Sequence, residues 1–309
     1  MCSRAAPEPA TLPSAAGVRD QLVAWLELVR VPNLFTAIAD VLAGYLYATR
    51  GDLIRHGLPV LCAASLCLYA GGVTLNDVFD MEQDRAERPA RPLPSGRVSR
   101  GSAAGLAALL LSAGIVLAGS SSGRAAVIAA LLALCIVLYD GVLKRTPVGP
   151  VLMGACRGLN LLLGMSVSLG PATAVALVPA GLLGAYVASL TRFASREARS
   201  QTRGQLLPGA LGVLSSVAGL AGLMGVVHEP DGFYLIGVAA LFSIAAVTTA
   251  RGIRDLSPLA TQRAVRTLLV MLVGLDACIA WSAAGITAAL SVASLIVPTA
   301  LLGRFFRMT

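Results

Sequence analysis

The chain has 309 residues, of which 56% are apolar and only 13% are charged, and its mean hydropathy is +0.78. A soluble domain carries roughly a quarter of its residues as charged side chains, so this composition excludes an ordinary water-soluble protein. The net charge of +8 would fit nucleic-acid binding in a soluble protein, but in a membrane protein it indicates topology. We expect an all-α, polytopic membrane protein that binds no nucleic acid.

The first 20 residues contain Pro and Ser and have no apolar core, so we do not expect a signal peptide there. We expect residues 1–28 to be a disordered cytoplasmic lead-in, and residues 29–309 to form one transmembrane domain. Apolar runs long enough to cross a bilayer recur along that domain. They predict nine to ten transmembrane helices, with spans near 32–49, 57–79, 102–121, 124–143, 148–170, 172–192, 205–227, 232–250, 264–284 and 286–303.

The basic residues are distributed unevenly between the two ends of these spans. With the N-terminus inside, 20 of the 24 Lys and Arg residues fall on the inner side, whereas Arg50, Arg55 and Arg124 lie outside and Arg157 lies within a span. This distribution follows the positive-inside rule. It predicts that the N-terminus and the polar loops face the cytoplasm, in what we expect to be a bacterial cell membrane.

A concentrated run of charge follows the second predicted span, with five carboxylates and five arginines between residues 74 and 100. Asn76, Asp80 and Asp84 are spaced four residues apart, so a continuing helix places them on one face, and Asp77 lies close to the same stripe. Carboxylates one turn apart repel unless a hard cation lies between them, and Mg²⁺ takes one or two carboxylates together with water and phosphate oxygens. The spacing predicts that Asn76, Asp80 and Asp84 bind Mg²⁺.

Arginines follow these carboxylates directly, before the turn sequence RPLPSGR returns the chain to the third span. The guanidinium groups of Arg88 and Arg91 would suit a diphosphate beside a metal ion. The alternative is a solvated loop next to the membrane whose charges pair with one another. The carboxylates share one face of a helix that emerges from an apolar span, which favours a binding site.

The stretch NDVFDMEQDRAERPARPLPSGRVS resembles the first aspartate-rich motif of the UbiA superfamily of intramembrane prenyltransferases. LVRVPNLFTAIADVLAGYL and LYDGVLKRTPVGPVLMGACRGLNLLLG extend the resemblance over roughly residues 26–285, and CRGLNLLLG is most similar to the EboC-like branch. The resemblance implies nine helices around a central cavity that is open laterally to lipid. It also implies that Asn76, Asp80 and Asp84 hold Mg²⁺ and a diphosphate, with Tyr139, Lys144, Arg30 and Asn33 near the substrate.

The superfamily's second motif is poorly matched. It normally carries several aspartates, but here the loop LTRFASREARSQTRGQLLP contains Glu197 as its single carboxylate. We expect Glu197 to be a catalytic residue and Arg196 to bind substrate, because fixed cations can neutralise a diphosphate in place of a metal. The alternative for this loop is a cytoplasmic segment that is basic only for topology.

Two polar residues lie within the fifth predicted span. Arg157 and Asn160 are three residues apart and face one way on a helix, and a charged residue inside a membrane span is a functional candidate. We expect both to bind substrate. Arg157 would reach the diphosphate or, alternatively, pair with Asp40, Asp140 or Asp276.

These features predict a magnesium-dependent integral membrane transferase of prenyl groups. It would ionise an isoprenyl diphosphate through Asn76, Asp77, Asp80 and Asp84 and pass the prenyl group to an aromatic or other small-molecule acceptor, with membrane lipid around it. Two alternatives are open: a membrane terpene cyclase, in which the carbocation is captured intramolecularly, and a non-catalytic protein that binds or carries lipid phosphates. The sparse second motif favours the latter.

Overall fold

A computed structural model describes residues 15–52, 57–168, 173–195, 202–227 and 232–302. Within those ranges the chain forms α-helices and one π-helical turn, and no strand. The helices are α1 (Ala15–Leu28), α2 (Val31–Thr49), α3 (Leu58–Phe79), α4 (Met81–Glu87), α5 (Arg100–Ser121), α6 (Gly123–Leu138), α7 (Gly149–Met165), α8 (Thr173–Ala194), α9 (Arg203–Val227), α10 (Gly232–Asp255), α11 (Pro258–Ala293) and α12 (Ile296–Leu302), and the π-helical turn is Tyr139–Leu143.

The prediction of an all-α polytopic membrane bundle is confirmed. Eight helical segments of the described chain are long and apolar enough to cross a membrane, and α7, with 17 residues, packs among them. Together they agree with the predicted nine to ten spans. The last two predicted spans lie within α11 and α12, and Gly285 (φ 79°) breaks α11 between them at the left-handed conformation that glycine tolerates.

The second half of the N-terminal segment differs from the expected disordered lead-in. Residues 15–28 form α1, and Ala24 and Leu28 are fully buried against Val78, Leu93 and Val98. Apolar side chains at positions 24, 25 and 28 recur at helical spacing, so one face of α1 packs on the loop after α3. Residues 1–14 lie outside the described chain.

A close approach of α2 and α7 organises the centre of the bundle. A Cβ atom at Gly44 would collide with the carbonyl oxygen of Leu161, and one at Gly164 would collide with that of Val41. Small residues let membrane helices pack backbone to backbone in this way. The contact places the polar residues of α7 directly beside those of α2.

The spanning helices alternate in direction because most connections between them are short. As a result, one end of the bundle contains the C-terminal ends of four helices and the N-terminal ends of five others. The helices that end there are α3, α6, α8 and α10, and those that begin there are α2, α5, α7, α9 and α11. We call this the site end, because the charged run after α3 and the π-helical turn after α6 both lie there.

Candidate functional site

The helical path continues through the aspartate-rich segment with one local break. Asn76 and Asp77 lie in the last turn of α3, Asp80 separates α3 from α4, and Asp84 lies in α4. The backbone N–H of Asp80 donates to Asn76 O at 2.9 Å, and that of Asp84 donates to Asp80 O at 2.9 Å. These bonds have helical spacing, so the three predicted ligands follow one another turn by turn.

Two of the carboxylates are held by arginines. Arg30 Nη2 lies 2.6 Å from Asp77 Oδ1, and Arg91 Nη1 lies 2.7 Å from Asp84 Oδ2 and 3.5 Å from Asp77 Oδ1. The side chains of Asp77 and Asp84 are each only 6% exposed. Arg91 therefore bridges two nearly buried carboxylates, which fixes the loop after α4 onto the end of α3.

Arg30 reaches Asp77 from an unusual backbone conformation. It precedes α2 with φ 51° and ψ 56°, in the left-handed region that few non-glycine residues occupy. Burial lowers the pKa of the Arg30 guanidinium, but the combined attraction of Asp77, Tyr69 and Asp84 and the hydrogen bond to Asp77 raise that pKa above its ordinary value. The strained turn thus holds a permanent positive charge at the site end.

A second group of polar residues joins the end of α3 to the π-helical turn. Lys144 Nζ donates to Asp80 Oδ2, and Asn76 Nδ2 donates to Asp140 Oδ1 at 2.7 Å. The backbone N–H of Lys144 donates to Tyr139 O at 2.8 Å, an i to i+5 bond that widens the turn. Tyr139 begins this turn and is half-buried, so it lies one wide turn away from the lysine.

Asp140 is the site residue that the sequence analysis did not select. Asp140 directly follows Tyr139 in YDGVLK, but nothing in the sequence indicates that its carboxylate accepts a hydrogen bond from the side-chain amide of Asn76 on another helix. Because the Asn76 nitrogen donates to Asp140, the amide oxygen of Asn76 is left as the end that can accept a hydrogen bond or bind a cation.

A cavity of about 650 Å³ opens beside these groups at the site end. Its polar lining comprises four arginines and three carboxylates: Arg30, Arg88, Arg91, Arg97, Glu27, Asp77 and Glu87. Arg97 Nη2 pairs with Glu27 Oε2 at 2.7 Å, whereas Arg88 is exposed and has no ion pair among the described residues. The predicted substrate-binding residues Arg30, Arg88 and Arg91 therefore line one cavity.

The donor set at the end of α3 fits a magnesium ion that is completed by substrate. No three His, Cys, Asp or Glu residues in the described part of the chain are grouped so that they could hold a metal by themselves. Mg²⁺ is commonly held by one or two carboxylates plus phosphate oxygens and water. The carboxylates of Asp80 and Asp84, now paired with Lys144 and Arg91, and the amide oxygen of Asn76 would supply the hard oxygen donors for this arrangement.

Arg157 and Asn160 lie deeper in the bundle, in a network of their own. Arg157 Nη1 donates to Asp40 Oδ2 at 2.7 Å and to Thr36 O at 3.1 Å, and Asn160 Nδ2 donates to Asp40 Oδ2 at 2.8 Å. Asp40 is fully buried. Of the two alternatives for Arg157, the structure shows the buried ion pair with Asp40, and neither Arg157 nor Asn160 lines the 650 Å³ cavity.

The remaining predicted residues lie around these groups or outside the described chain. Asn33 lies in the first turn of α2, where its carbonyl accepts a hydrogen bond from Thr36 Oγ1 at 2.8 Å. The same Thr36 oxygen accepts from Arg157 Nη2 at 2.9 Å, so Asn33 borders the buried network. Glu197 and Arg196 lie outside the described residues.

Comparison with known proteins gives a consistent family. Residues 37–246 match the UbiA prenyltransferase family. A digeranylgeranylglyceryl phosphate synthase of Methanopyrus kandleri is 38% identical over 170 residues, which is 55% of this chain and 60% of the relative. The chain spans 60% of this relative and 51% of the synthase of Sulfurisphaera tokodaii, so it covers less than two thirds of either.

Solved structures share the fold. A structure of a digeranylgeranylglyceryl phosphate synthase in membranes superposes with a TM-score of 0.65 at 23% identity, and it covers 87% of this chain and 99% of its own. A UbiA homologue from Archaeoglobus fulgidus bound to DMAPP and Mg²⁺ has a TM-score of 0.57 at 14% identity, with coverage of 87% and 99%. These similarities establish a common helical bundle.

Proposed function

The chain belongs to the UbiA prenyltransferase family, and on that premise we propose that it is an integral membrane prenyltransferase. It would ionise an isoprenyl diphosphate at the site end and transfer the prenyl group to an acceptor. The observation that carries the proposal is the meeting of oxygen donors and fixed cations there: Asp80 with Lys144, and Asp77 and Asp84 with Arg91. The carboxylates are suited to Mg²⁺, and the basic side chains are suited to a diphosphate.

The charged residues would act on the leaving group. Lys144, Arg30 and Arg91 would donate hydrogen bonds to the diphosphate oxygens as negative charge develops on them, which is where charge stabilisation accelerates ionisation most. Asn76, Asp80 and Asp84 would hold Mg²⁺, which when bound supplies further neutralisation of the departing diphosphate. The A. fulgidus homologue bound to DMAPP and Mg²⁺ supports this cofactor.

The reaction breaks the allylic carbon–oxygen bond, and the electron pair leaves with the diphosphate. A new bond then forms between the allylic carbon and the acceptor, and the acceptor proton is released to an oxygen base such as the diphosphate. Apolar spans around the site would exclude the water that otherwise captures the carbocation. The charged residues would act on the diphosphate and the apolar spans would shield the carbocation, which explains why the charge is concentrated at one end of an apolar bundle.

The names of the relatives support one class of acceptor. The name digeranylgeranylglyceryl phosphate synthase describes a product with prenyl groups on a glyceryl phosphate, so we propose an acceptor alcohol that carries a phosphate. Arg88 and Arg97 line the 650 Å³ cavity beside the donor site and would suit that second phosphate. The broader expectation of an aromatic acceptor has no such support, and the resemblance to the EboC-like branch stays a prediction.

We place the site end on the cytoplasmic side, because most of the basic residues lie there. The integral membrane location itself follows from the spanning helices and the family. The relatives are archaeal, so they give no support to the narrower expectation of a bacterial cell membrane.

The purified protein should be incubated with allylic diphosphates of several chain lengths, Mg²⁺, and either a glyceryl phosphate lipid alcohol or no acceptor. We expect pyrophosphate release and a prenylated lipid that both depend on Mg²⁺ and on the acceptor. A hydrocarbon or alcohol formed from the diphosphate alone would indicate the cyclase alternative. Binding of the diphosphate without pyrophosphate release under every condition would indicate a carrier.

A further inference from the structure

A second basic cavity lies between α10 and α11, at the site end but away from the aspartate-rich motif. Its volume is about 370 Å³, and its polar lining is Thr248, Arg251, Arg254, Asp255, Arg263 and Thr267. It shares no lining residue with the 650 Å³ cavity. The transfer reaction proposed above uses none of these side chains.

The arginines of this second cavity are not neutralised by the protein. Within the described chain, Arg251, Arg254 and Arg263 form no ion pair and no side-chain hydrogen bond, and one carboxylate, Asp255, stands against the three. In the first cavity, by contrast, Arg30, Arg91 and Arg97 are each paired with a carboxylate. Three guanidinium groups that line one cavity without protein partners are suited to an oxyanion such as phosphate.

The surroundings of the cavity are apolar on the side of the membrane. On α10, Ile244 and Val247 precede Arg251 by seven and four residues and are 46% and 48% exposed, so they lie on the same helical face. On α11, Val270 follows Arg263 by seven residues and is 48% exposed. If the phosphate of an amphiphile binds the arginines, its hydrocarbon chains would therefore contact these exposed apolar side chains.

We propose that this cavity binds the phosphate of an anionic membrane phospholipid, with the acyl chains lying along α10 and α11. Basic pockets between transmembrane helices on the cytoplasmic side are suited to anionic headgroups. Asp255 would accept a hydrogen bond from a headgroup hydroxyl, which favours a polyol headgroup such as glycerol. The apolar faces of both helices favour a lipid over free phosphate.

The full-length protein, stripped of lipid in detergent, should be titrated with phosphatidylglycerol or phosphatidylcholine and bound lipid counted by native mass spectrometry. The test variant carries Arg251→Gln, Arg254→Gln and Arg263→Gln. The control is Arg266→Gln, which removes an exposed arginine of α11 that does not line the cavity. Arg263→Gln alone serves if the triple variant does not assemble.

We expect the protein to prefer phosphatidylglycerol, because each arginine that lines the cavity should contribute about fivefold to the affinity for an anionic headgroup. The triple variant should lose on the order of a hundredfold, Arg263→Gln about fivefold, and Arg266→Gln less than about twofold. Equal binding of phosphatidylcholine, an equal loss in Arg266→Gln, or full retention in the cavity variants would overturn the proposal. Displacement of the lipid by inorganic phosphate at equal concentration would assign the cavity to free phosphate instead.

Discussion

Lys144 donates a hydrogen bond to Asp80, although 64 positions separate them in the sequence. The contact joins the π-helical turn after α6 to the break between α3 and α4. Both side chains are partly exposed, at 28% for Lys144 and 18% for Asp80. An incoming diphosphate could therefore reach the lysine while a cation reaches the carboxylate.

Asp80→Asn should reduce the rate of pyrophosphate release by about a hundredfold or more, because it removes a charged oxygen donor from the site where the leaving group is stabilised. The amide keeps the size of the side chain, so the fold should be retained. The measurement is steady-state pyrophosphate release by purified protein with an allylic diphosphate and Mg²⁺.

Glu82→Gln is the matched control for that variant. Glu82 lies two residues after Asp80, in α4; among the described residues its ion pair is with Arg85 at 2.8 Å, and its side chain is 75% exposed. Its removal should change the rate by less than about twofold, since exposed ion pairs contribute little. Equal activity of Asp80→Asn and Glu82→Gln would remove Asp80 from the reaction.

Lys144→Gln should lower kcat rather than only raise KM, because its charge would matter most as the diphosphate leaves. Arg145→Gln removes the neighbouring cation, which binds Gln83 at 2.9 Å on the exposed side, and should leave both constants nearly unchanged. Kinetics over a range of diphosphate concentrations separate the two effects. A Lys144→Gln variant that raises KM alone would restrict Lys144 to substrate binding.

Much of this arrangement could be predicted from the sequence, because it depends on spacing along one helix. The period of Asn76, Asp80 and Asp84 predicted their succession along α3 and α4, and the alternation of apolar spans predicted the bundle. The partners could not be predicted in the same way. Asp140 meets Asn76 only because α3 and α6 pack side by side and the π-helical turn adds a residue.

The kink and the N-terminal helix show two other limits of sequence reasoning. Gly285 was compatible with the boundary between two spans, but sequence alone does not show that the helix resumes directly after it. Residues 1–28 were expected to be disordered, yet residues 15–28 form α1, and the apolar side chains of Ala24 and Leu28 are buried against Val78 and the loop after α3. Both the continuation of α11 after Gly285 and the formation of α1 depend on tertiary contacts.

Asp40→Asn should destabilise the bundle by about 3 kcal/mol, because it leaves Arg157 buried without its carboxylate partner. Asp276→Asn, at a carboxyl that is also fully buried and interacts electrostatically with Asp40 and Arg157, should cost less, since Arg157 forms its side-chain ion pair with Asp40 rather than with Asp276. Unfolding free energies in detergent compare the two. Similar losses would show that Asp276 supports Arg157 as strongly as Asp40 does.

Gly44→Ala should destabilise the protein by about 1–3 kcal/mol, because the added methyl group would collide with the carbonyl of Leu161 and push α2 from α7. Gly181→Ala in α8 is the control, since a Cβ atom there meets open space, and it should be neutral or stabilising. Thermal unfolding of both variants gives the comparison. An unchanged transition in Gly44→Ala would mean that these two helices separate freely.

Binding of an unreactive thiolodiphosphate analogue of an isoprenyl diphosphate tests the central claim most directly, because it isolates recognition of the diphosphate from the chemistry. Calorimetric titration should show tight binding that depends on Mg²⁺ in the unmodified protein and weakens at least about tenfold in the Asp80→Asn, Asp84→Asn double variant. Binding that is equally tight without Mg²⁺, and unchanged in the double variant, would contradict the assignment of the site end as a metal–diphosphate centre.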